Sequence, residues 1–289
     1  MIGVDWGTSN LRAFRFDARG KVIDTRRAAA GVATVSDGNF EKVLSEAIGD
    51  WLAEDRELVL AGMVGSRSGW LEAPYLACPV ELHALAQHLA EPASSIGRCR
   101  IVPGVSSMGQ GGRGDVMRGE ETQLLGAGLD DGVVLLPGTH SKWATLDQGR
   151  LRSFRTAMTG ELFAVLLEHS LLGRQEREPD TSNMAAFKRG VLRSLDDPSL
   201  VMTLFSARAE VLLGSLAPDD VPDYLSGLLI GAEVSAMAPA QSPVTIVGEP
   251  GLAQRYRDAL IAAGVEAVSL LNGEQAAARG LWMIGAALR

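Results

Sequence analysis

The alternation of apolar and polar positions at the start of the chain predicts three short strands in succession. Residues 2–5 form an apolar run that ends in a turn at Gly7-Thr8. Residues 11–16 alternate, Asp17-Ala18-Arg19-Gly20 reads as a turn, and residues 22–27 give the third strand. The second half repeats the pattern: an apolar run at 133–136, a turn at Gly138-Thr139, a strand at 142–146, a hairpin turn at Asp147-Gln148-Gly149 and a strand at 151–155. A helical pattern follows each trio, at 40–52 and at 161–172. Further strands are expected at 58–63 and 100–102 in the first half and at 244–247 and 267–271 in the second. Two copies of β-β-β-α-β-α-β predict an α/β protein of two similar domains facing each other across a cleft. Residues 173–239 read as a helical insertion in the second copy, interrupted by the acidic, proline-containing stretch Ala217-Pro218-Asp219-Asp220-Val221-Pro222-Asp223. An apolar helix at 274–288 ends the chain.

Composition narrows the function. A length of 289 residues suits two domains of about 150 residues, each large enough for its own core. The net charge of −8 argues against nucleic-acid and anionic-membrane partners, which call for a basic surface. A few local arginines would still hold a small anion. No run approaches the roughly 20 apolar residues that span a bilayer, and Met1-Ile2-Gly3-Val4-Asp5 does not open like a secretory leader. Cys78 and Cys99 form no CxxC pair, and His83, His88, His140 and His169 form no HExxH, so a reduced cytoplasmic chain without structural zinc is expected.

The two turns carry the candidate chemistry. In Asp5-Trp6-Gly7-Thr8-Ser9-Asn10-Leu11-Arg12, glycine gives the backbone freedom for a tight hairpin. Thr8 and Ser9 add N–H and hydroxyl donors without bulk, which suits phosphate oxygens. Asp5 at the strand end could hold Mg²⁺ through water. An ordinary polar turn is the alternative. Leu136-Pro137-Gly138-Thr139-His140-Ser141-Lys142-Trp143 occupies the same place in the second repeat. The pairing favours phosphate, and Lys142 adds a charge; His140 reads as a turn residue. Gly109-Gln110-Gly111-Gly112-Arg113-Gly114 matches GxGxxG, but the preceding strand ends too early and Asp130 and Asp131 precede the next strand instead of ending it. There is no GxxxxGK[ST].

Together the turns resemble the two phosphate motifs of the actin/hexokinase-like superfamily. Four further strings are similar to those of the 2-dehydro-3-deoxygalactonokinase family: Gly62-Met63-Val64-Gly65-Ser66-Arg67-Ser68-Gly69-Trp70, Glu72-Ala73-Pro74-Tyr75, Gly114-Asp115-Val116-Met117-Arg118-Gly119-Glu120-Glu121-Thr122-Gln123, and Met158-Thr159-Gly160-Glu161-Leu162-Phe163. The resemblance runs from Asp5 to Gly285.

It implies two ribonuclease H-like domains flanking an ATP cleft, a sugar-acid-binding domain at 1–125 and a nucleotide-binding domain at 126–289. It also implies transfer of the ATP γ-phosphoryl to the C6 hydroxyl of 2-dehydro-3-deoxy-D-galactonate in galactonate catabolism. ATP and Mg²⁺ are the implied cofactors. Asp115 becomes the base, at the start of a helix, with Glu120 and Glu121 as substitutes; an N-terminal helix cap is the alternative reading of Asp115. Arg67 and Arg118 become the carboxylate anchors. Glu120, Trp70 and Tyr75 join them at the sugar, although either aromatic could equally be core. Asp5, Gly7, Thr8, Ser9, Asn10, Gly138, Thr139, Ser141 and Lys142 hold the nucleotide and Asp5 the metal. Gly248, after the strand at 244–247, approaches the adenosine. The double glycine common in other superfamily kinases is absent there, which leaves the nucleotide choice open. A kinase of the same fold for another sugar acid or amino sugar, and a partner-regulated actin-like ATPase, are the alternatives. A homodimer is also left open.

Overall fold

A computed structural model of the chain describes residues 1–173, 182–239 and 242–288; residues 174–181 of the expected insertion lie outside that set. The N-terminal alternation becomes three strands, β1 (Ile2–Trp6), β2 (Leu11–Phe16) and β3 (Val22–Ala28), each antiparallel to the next. Helix α1 (Phe40–Ile48) follows, then β4 (Glu57–Gly62). Two short strands, β5 (Tyr75–Ala77) and β6 (Val80–Glu81), lead to β7 (Arg98–Ile101). A hairpin of β8 (Gly104–Met108) and β9 (Gly114–Met117) precedes helix α2 (Glu120–Ala127). The second repeat begins with β10 (Gly132–Leu136), β11 (Ser141–Asp147) and β12 (Arg150–Ala157), followed by α3 (Thr159–His169). Helices α4 (Met184–Asp196), α5 (Leu200–Thr203), α6 (Ser206–Leu212) and α7 (Val221–Met237) come next. The chain ends with β13 (Val244–Gly248), α8 (Pro250–Ala262), β14 (Val268–Asn272) and α9 (Gly273–Ala286).

One sheet runs β3-β2-β1-β4-β7, with β1, β4 and β7 parallel. Another runs β14-β13-β10-β11-β12-β6, with β13 parallel to β10. Counted from β12, the second order repeats the first. This duplicated order is the ribonuclease H-like, actin/hexokinase-like fold. The first repeat departs from the expected pattern in one place. Where the second has α8, the segment between β4 and β7 has short strands and a 3-10 turn at Leu82–Gln87. Gly65, Gly69, Pro74 and Pro79 fall there, and that density of helix breakers accounts for the difference.

A small third sheet, β5-β8-β9, contains the glycine run. β8 and β9 pair antiparallel, and Gly111 and Gly112 turn the hairpin with φ of 73° and 74°. No helix follows the glycines, so the dinucleotide reading fails on geometry as well as on spacing.

The chain divides into two compact units. The first comprises Met1–Gly132, Ala144–Arg155 and Leu271–Arg289; the second comprises Val133–Trp143 and Thr156–Leu270. This differs from a division at residue 125, because α9 belongs with the first unit. It packs on β1, β4 and α2. Gly3 leaves space for Leu281, and a Cβ on Gly126 would lie 1.8 Å from the Ala276 carbonyl oxygen. On the other face of the first sheet, Ile2, Val4 and Trp6 form a core with Phe40, Leu44 and Ile48 of α1. The second unit buries Leu135, Trp143 and Ile246 against Phe187 of α4, Ile230 of α7 and Tyr256 of α8. Among the described residues no helix is long and apolar enough to cross a membrane.

Candidate active site

The first Gly-Thr turn is fixed by its carbonyl groups. Gly7 donates its N–H to the Asn10 carbonyl at 2.9 Å. The N–H groups of Val32, Ala33 and Gly31 donate to the carbonyls of Gly7, Thr8 and Ser9 at 3.0, 3.0 and 3.1 Å. With those acceptors tied down, Thr8, Ser9 and Asn10 stand exposed, the arrangement of an anion-binding turn. Gly31 permits it: its φ is −69°, open to any residue, but a Cβ would lie 2.1 Å from the Thr8 carbonyl oxygen. Sequence reasoning passed over Gly31, because only the tertiary approach of the two segments gives it importance.

Asp5, next to last in β1, is partly buried, with Arg12 Nη2 3.5 Å from its Oδ2. Arg12 and Arg27 also reach Glu274 in the first turn of α9, at 3.9 and 2.5 Å. Asn272 caps that helix by accepting the Gln275 N–H. Burial pushes the Asp5 carboxyl upward; Arg12 opposes this and Glu274 adds to it. A groove of about 340 Å³ runs along Asn10, Arg12, Arg27 and Glu274. Among the described residues no group of three or more His, Cys, Asp or Glu side chains is placed to hold a metal. A lone carboxylate fits Mg²⁺, which takes one or two carboxylates and completes its shell with phosphate and water.

Asp115 lies in β9, opposite Ser107 of β8, and its Oδ1 accepts the Val116 N–H at 2.8 Å. Helix α2 begins only at Glu120, so Asp115 is neither a helix-start residue nor an N-cap. Glu120 accepts the Arg118 N–H at 3.1 Å. Glu121 is fully buried; its two oxygens accept the Gly119 N–H at 2.9 and 2.7 Å, and Oε1 accepts the Thr122 hydroxyl at 3.1 Å. Burial, reinforced by Glu120, pushes the Glu121 carboxyl up to about 7. Its position makes it a support for the start of α2 rather than a group open to a substrate.

The two candidate anchors differ sharply. Arg67 is exposed and 3.7 Å from Glu72. Arg118 is buried, its guanidinium 4.3 Å from the centre of the Tyr75 ring. Its Nη2 donates to the Ala73 carbonyl at 2.8 Å, while Nε and Nη1 have no partner among the described residues. Tyr75 is exposed on the other side. Trp70 stacks on Phe40 with centroids 6.4 Å apart and borders the core of the first unit, which ties it to packing.

In the second unit the Gly138-Thr139 turn rests on the start of α3. Glu161 donates its N–H to the Thr139 carbonyl at 3.0 Å, and a Cβ on Gly160 would lie 2.5 Å from the Gly138 carbonyl oxygen. His140 pairs with Glu161 at 2.5 Å, both exposed. Ser141 and Lys142 point inward. The Ser141 hydroxyl meets the Tyr256 hydroxyl at 2.8 Å, and Lys142 Nζ donates to Thr156 at 2.9 Å. Their side chains support the turn from below. Beneath it lies Glu233, another residue that the sequence reading omitted. Its carboxylate accepts from Trp143 Nε1 and the Tyr256 hydroxyl, each at 2.7 Å, and from Thr159. Burial raises the Glu233 carboxyl and these donors counter it. Gly248 ends β13 against Pro137, and Glu249 caps α8 by accepting the Leu252 N–H.

Comparison with known proteins adds to this geometry. A family described as 2-keto-3-deoxy-galactonokinase matches residues 5–284. The 2-dehydro-3-deoxygalactonokinase of Escherichia coli (strain K12) is 38% identical over 292 residues, covering 99% of this chain and 98% of its own length. A crystal structure of a protein from Sinorhizobium meliloti, provisionally named 2-dehydro-3-deoxygalactonokinase, superimposes with a TM-score of 0.92. It has 35% identity and covers 99% of this chain and 96% of its own.

Proposed function

The chain belongs to the 2-keto-3-deoxy-galactonokinase family and is an ATP-dependent sugar-acid kinase, and from that premise we propose that it phosphorylates 2-dehydro-3-deoxy-D-galactonate on its C6 hydroxyl, in the cytoplasm, as a step of galactonate catabolism. The observation that carries this reading is the family match over nearly the whole chain, with a Gly-Thr turn at the same place in each repeat.

Phosphoryl transfer asks a protein mainly for positioning and charge stabilisation. Asp115 accepts the proton of the attacking C6 hydroxyl. Being partly exposed on β9, it is better placed for this than buried Glu121. Such a base is typically worth ~10²- to 10⁴-fold in rate. The exposed donors of Thr8, Ser9 and Asn10, with Gly7 setting the turn, receive phosphate oxygens, and Gly138 and Thr139 do the same in the second unit. Ser141 and Lys142 hold that turn in shape. Asp5 would hold Mg²⁺, which when bound would neutralise phosphate charge. Arg67 pairs with the substrate carboxylate, since its one ion pair among the described residues, to Glu72 at 3.7 Å, is long and exposed. Arg118 fixes the Tyr75 ring as a wall of the sugar site, with Glu120 beside it. Gly248 gives the adenosine a close approach to the backbone.

The test is a Mg-ATP phosphorylation assay on 2-dehydro-3-deoxy-D-galactonate, its gluconate epimer and N-acetylglucosamine. The galactonate compound should turn over, and Asp115→Asn should remove that turnover. Preferential turnover of another sugar would refute the substrate. ATP hydrolysis with no sugar phosphorylated would refute the reaction.

A further inference from the structure

The string Met158-Thr159-Gly160-Glu161-Leu162-Phe163 opens α3, and three successive residues of it each touch a different part of the second Gly-Thr turn. The Thr159 hydroxyl donates to Glu233 beneath the turn. Gly160 lies against the Gly138 carbonyl, where a Cβ would come within 2.5 Å of the oxygen. Glu161 makes two contacts. Its N–H donates to the Thr139 carbonyl at 3.0 Å, and its carboxylate accepts from His140 Nε2 at 2.5 Å. A pair this exposed, 46 and 43%, adds little stability. What it fixes is the direction of the imidazole, because the bond to Nε2 leaves Nδ1 without a partner among the described residues.

Charge gives that ring a use. Between Pro137 and Trp143 the side chains able to carry a positive charge are His140 and Lys142. Lys142 is buried and donates its amine to Thr156. His140 is thus the cationic group that the turn exposes beside Gly138 and Thr139. Glu161 would repel an anion at the turn if it stood alone; paired with an imidazolium it does not. With the carboxylate accepting from Nε2, a phosphate oxygen accepting from Nδ1 would use both donors of the ring, and an anion on each side favours the doubly protonated form. We propose that His140 is a ligand of the ATP phosphates and that Glu161 is its positioning residue. This role rests on the phosphate reading of the Gly138-Thr139 turn, in which His140 had no part.

Calorimetric titration of the full-length protein with MgATP and with AMP reads the contact directly. His140→Ala should weaken MgATP binding about 10- to 100-fold, the usual loss for a hydrogen bond to a charged group. AMP binding and the KM for the sugar acid should not change. His140→Arg, which restores a cation, should recover part of the loss. Glu161→Ala should weaken MgATP binding less than His140→Ala does, and the double variant should bind no more weakly than His140→Ala, since Glu161 acts through the ring. Additive losses, an equal loss for AMP, or wild-type MgATP affinity in His140→Ala would overturn the proposal. Gly138→Asp separates this role from that of the turn. A side chain at Gly138 meets open space, so the variant folds while setting a carboxylate where phosphate would bind. If Gly138→Asp loses MgATP binding and His140→Ala keeps it, the turn stands and the role of His140 falls. If Gly138→Asp binds MgATP as the wild type does, both fall.

Discussion

Glu121→Gln isolates the energetic consequence of burying a carboxylate at the start of α2. The side chain is inaccessible to solvent, and burial with the neighbouring Glu120 moves its carboxyl from an ordinary 4.5 to about 7. The charged form is therefore disfavoured in the folded chain. Below pH 4.5 both folded and unfolded chains carry the proton, and the residue contributes no pH dependence. Between 4.5 and 7 the unfolded chain releases the proton while the folded chain keeps it, so stability falls as pH rises. Above 7 the full penalty applies, about 3 kcal/mol at ~1.4 kcal/mol for each tenfold in proton affinity. Glutamine keeps the shape and can still accept the Gly119 N–H, and Thr122 can reverse its hydroxyl to accept from the amide. Urea unfolding of both proteins from pH 4.5 to 8.5 should show the variant gaining about 3 kcal/mol on the wild type across the series, with near coincidence at the acid end. Glu120→Gln, which removes the lesser cause, should flatten the wild-type slope only in part. Parallel stability curves for wild type and Glu121→Gln would refute the reasoning.

Other substitutions test other contacts. Gly31→Ala puts a methyl group 2.1 Å from the Thr8 carbonyl oxygen; since a 1 Å misplacement can lose ~10²-fold in rate, kcat/KM for ATP should fall about 10-fold or more, and unchanged ATP kinetics would count against the anion-turn reading. Gly280→Ala forces α2 and α9 apart, its Cβ 2.0 Å from the Thr122 carbonyl oxygen. It should lose about 1–3 kcal/mol and lower the melting temperature, whereas Gly49→Ala, with open space around it and φ of −52°, should melt at or above the wild type. Glu233→Gln turns an NH₂ group toward hydrogen-bond donors from Trp143, Tyr256 and Thr159. About 1–3 kcal/mol of stability should be lost, with a raised KM for ATP as the turn above it loosens; a normal KM would separate the network from nucleotide binding.

What could be read in advance was local. Alternation and turn chemistry act over a few residues, so the strand trios and both Gly-Thr turns stand where the pattern put them. The misplacement of Asp115 shows the limit of that method. A glycine run followed by Glu120 and Glu121 suggests a helix start, but β9 is only four residues long and owes its existence to pairing with β8. Gly31, Gly280 and Glu233 carry no local signature, because each matters through a segment distant in sequence that approaches within a methyl group or a hydrogen bond. Lys142 was assigned to phosphate by its charge, yet Thr156 on the neighbouring strand gives its amine a partner inside the fold.

The α5–α6 segment is illegible for a different reason. Periodicity finds the buried side of a helix by contrast with its polar side, and Val201, Met202, Phe205, Leu212 and Leu213 remove that contrast. From sequence alone such a helix looks like one enclosed by its own chain. The folded unit covers one side with α7 and leaves the other in solvent.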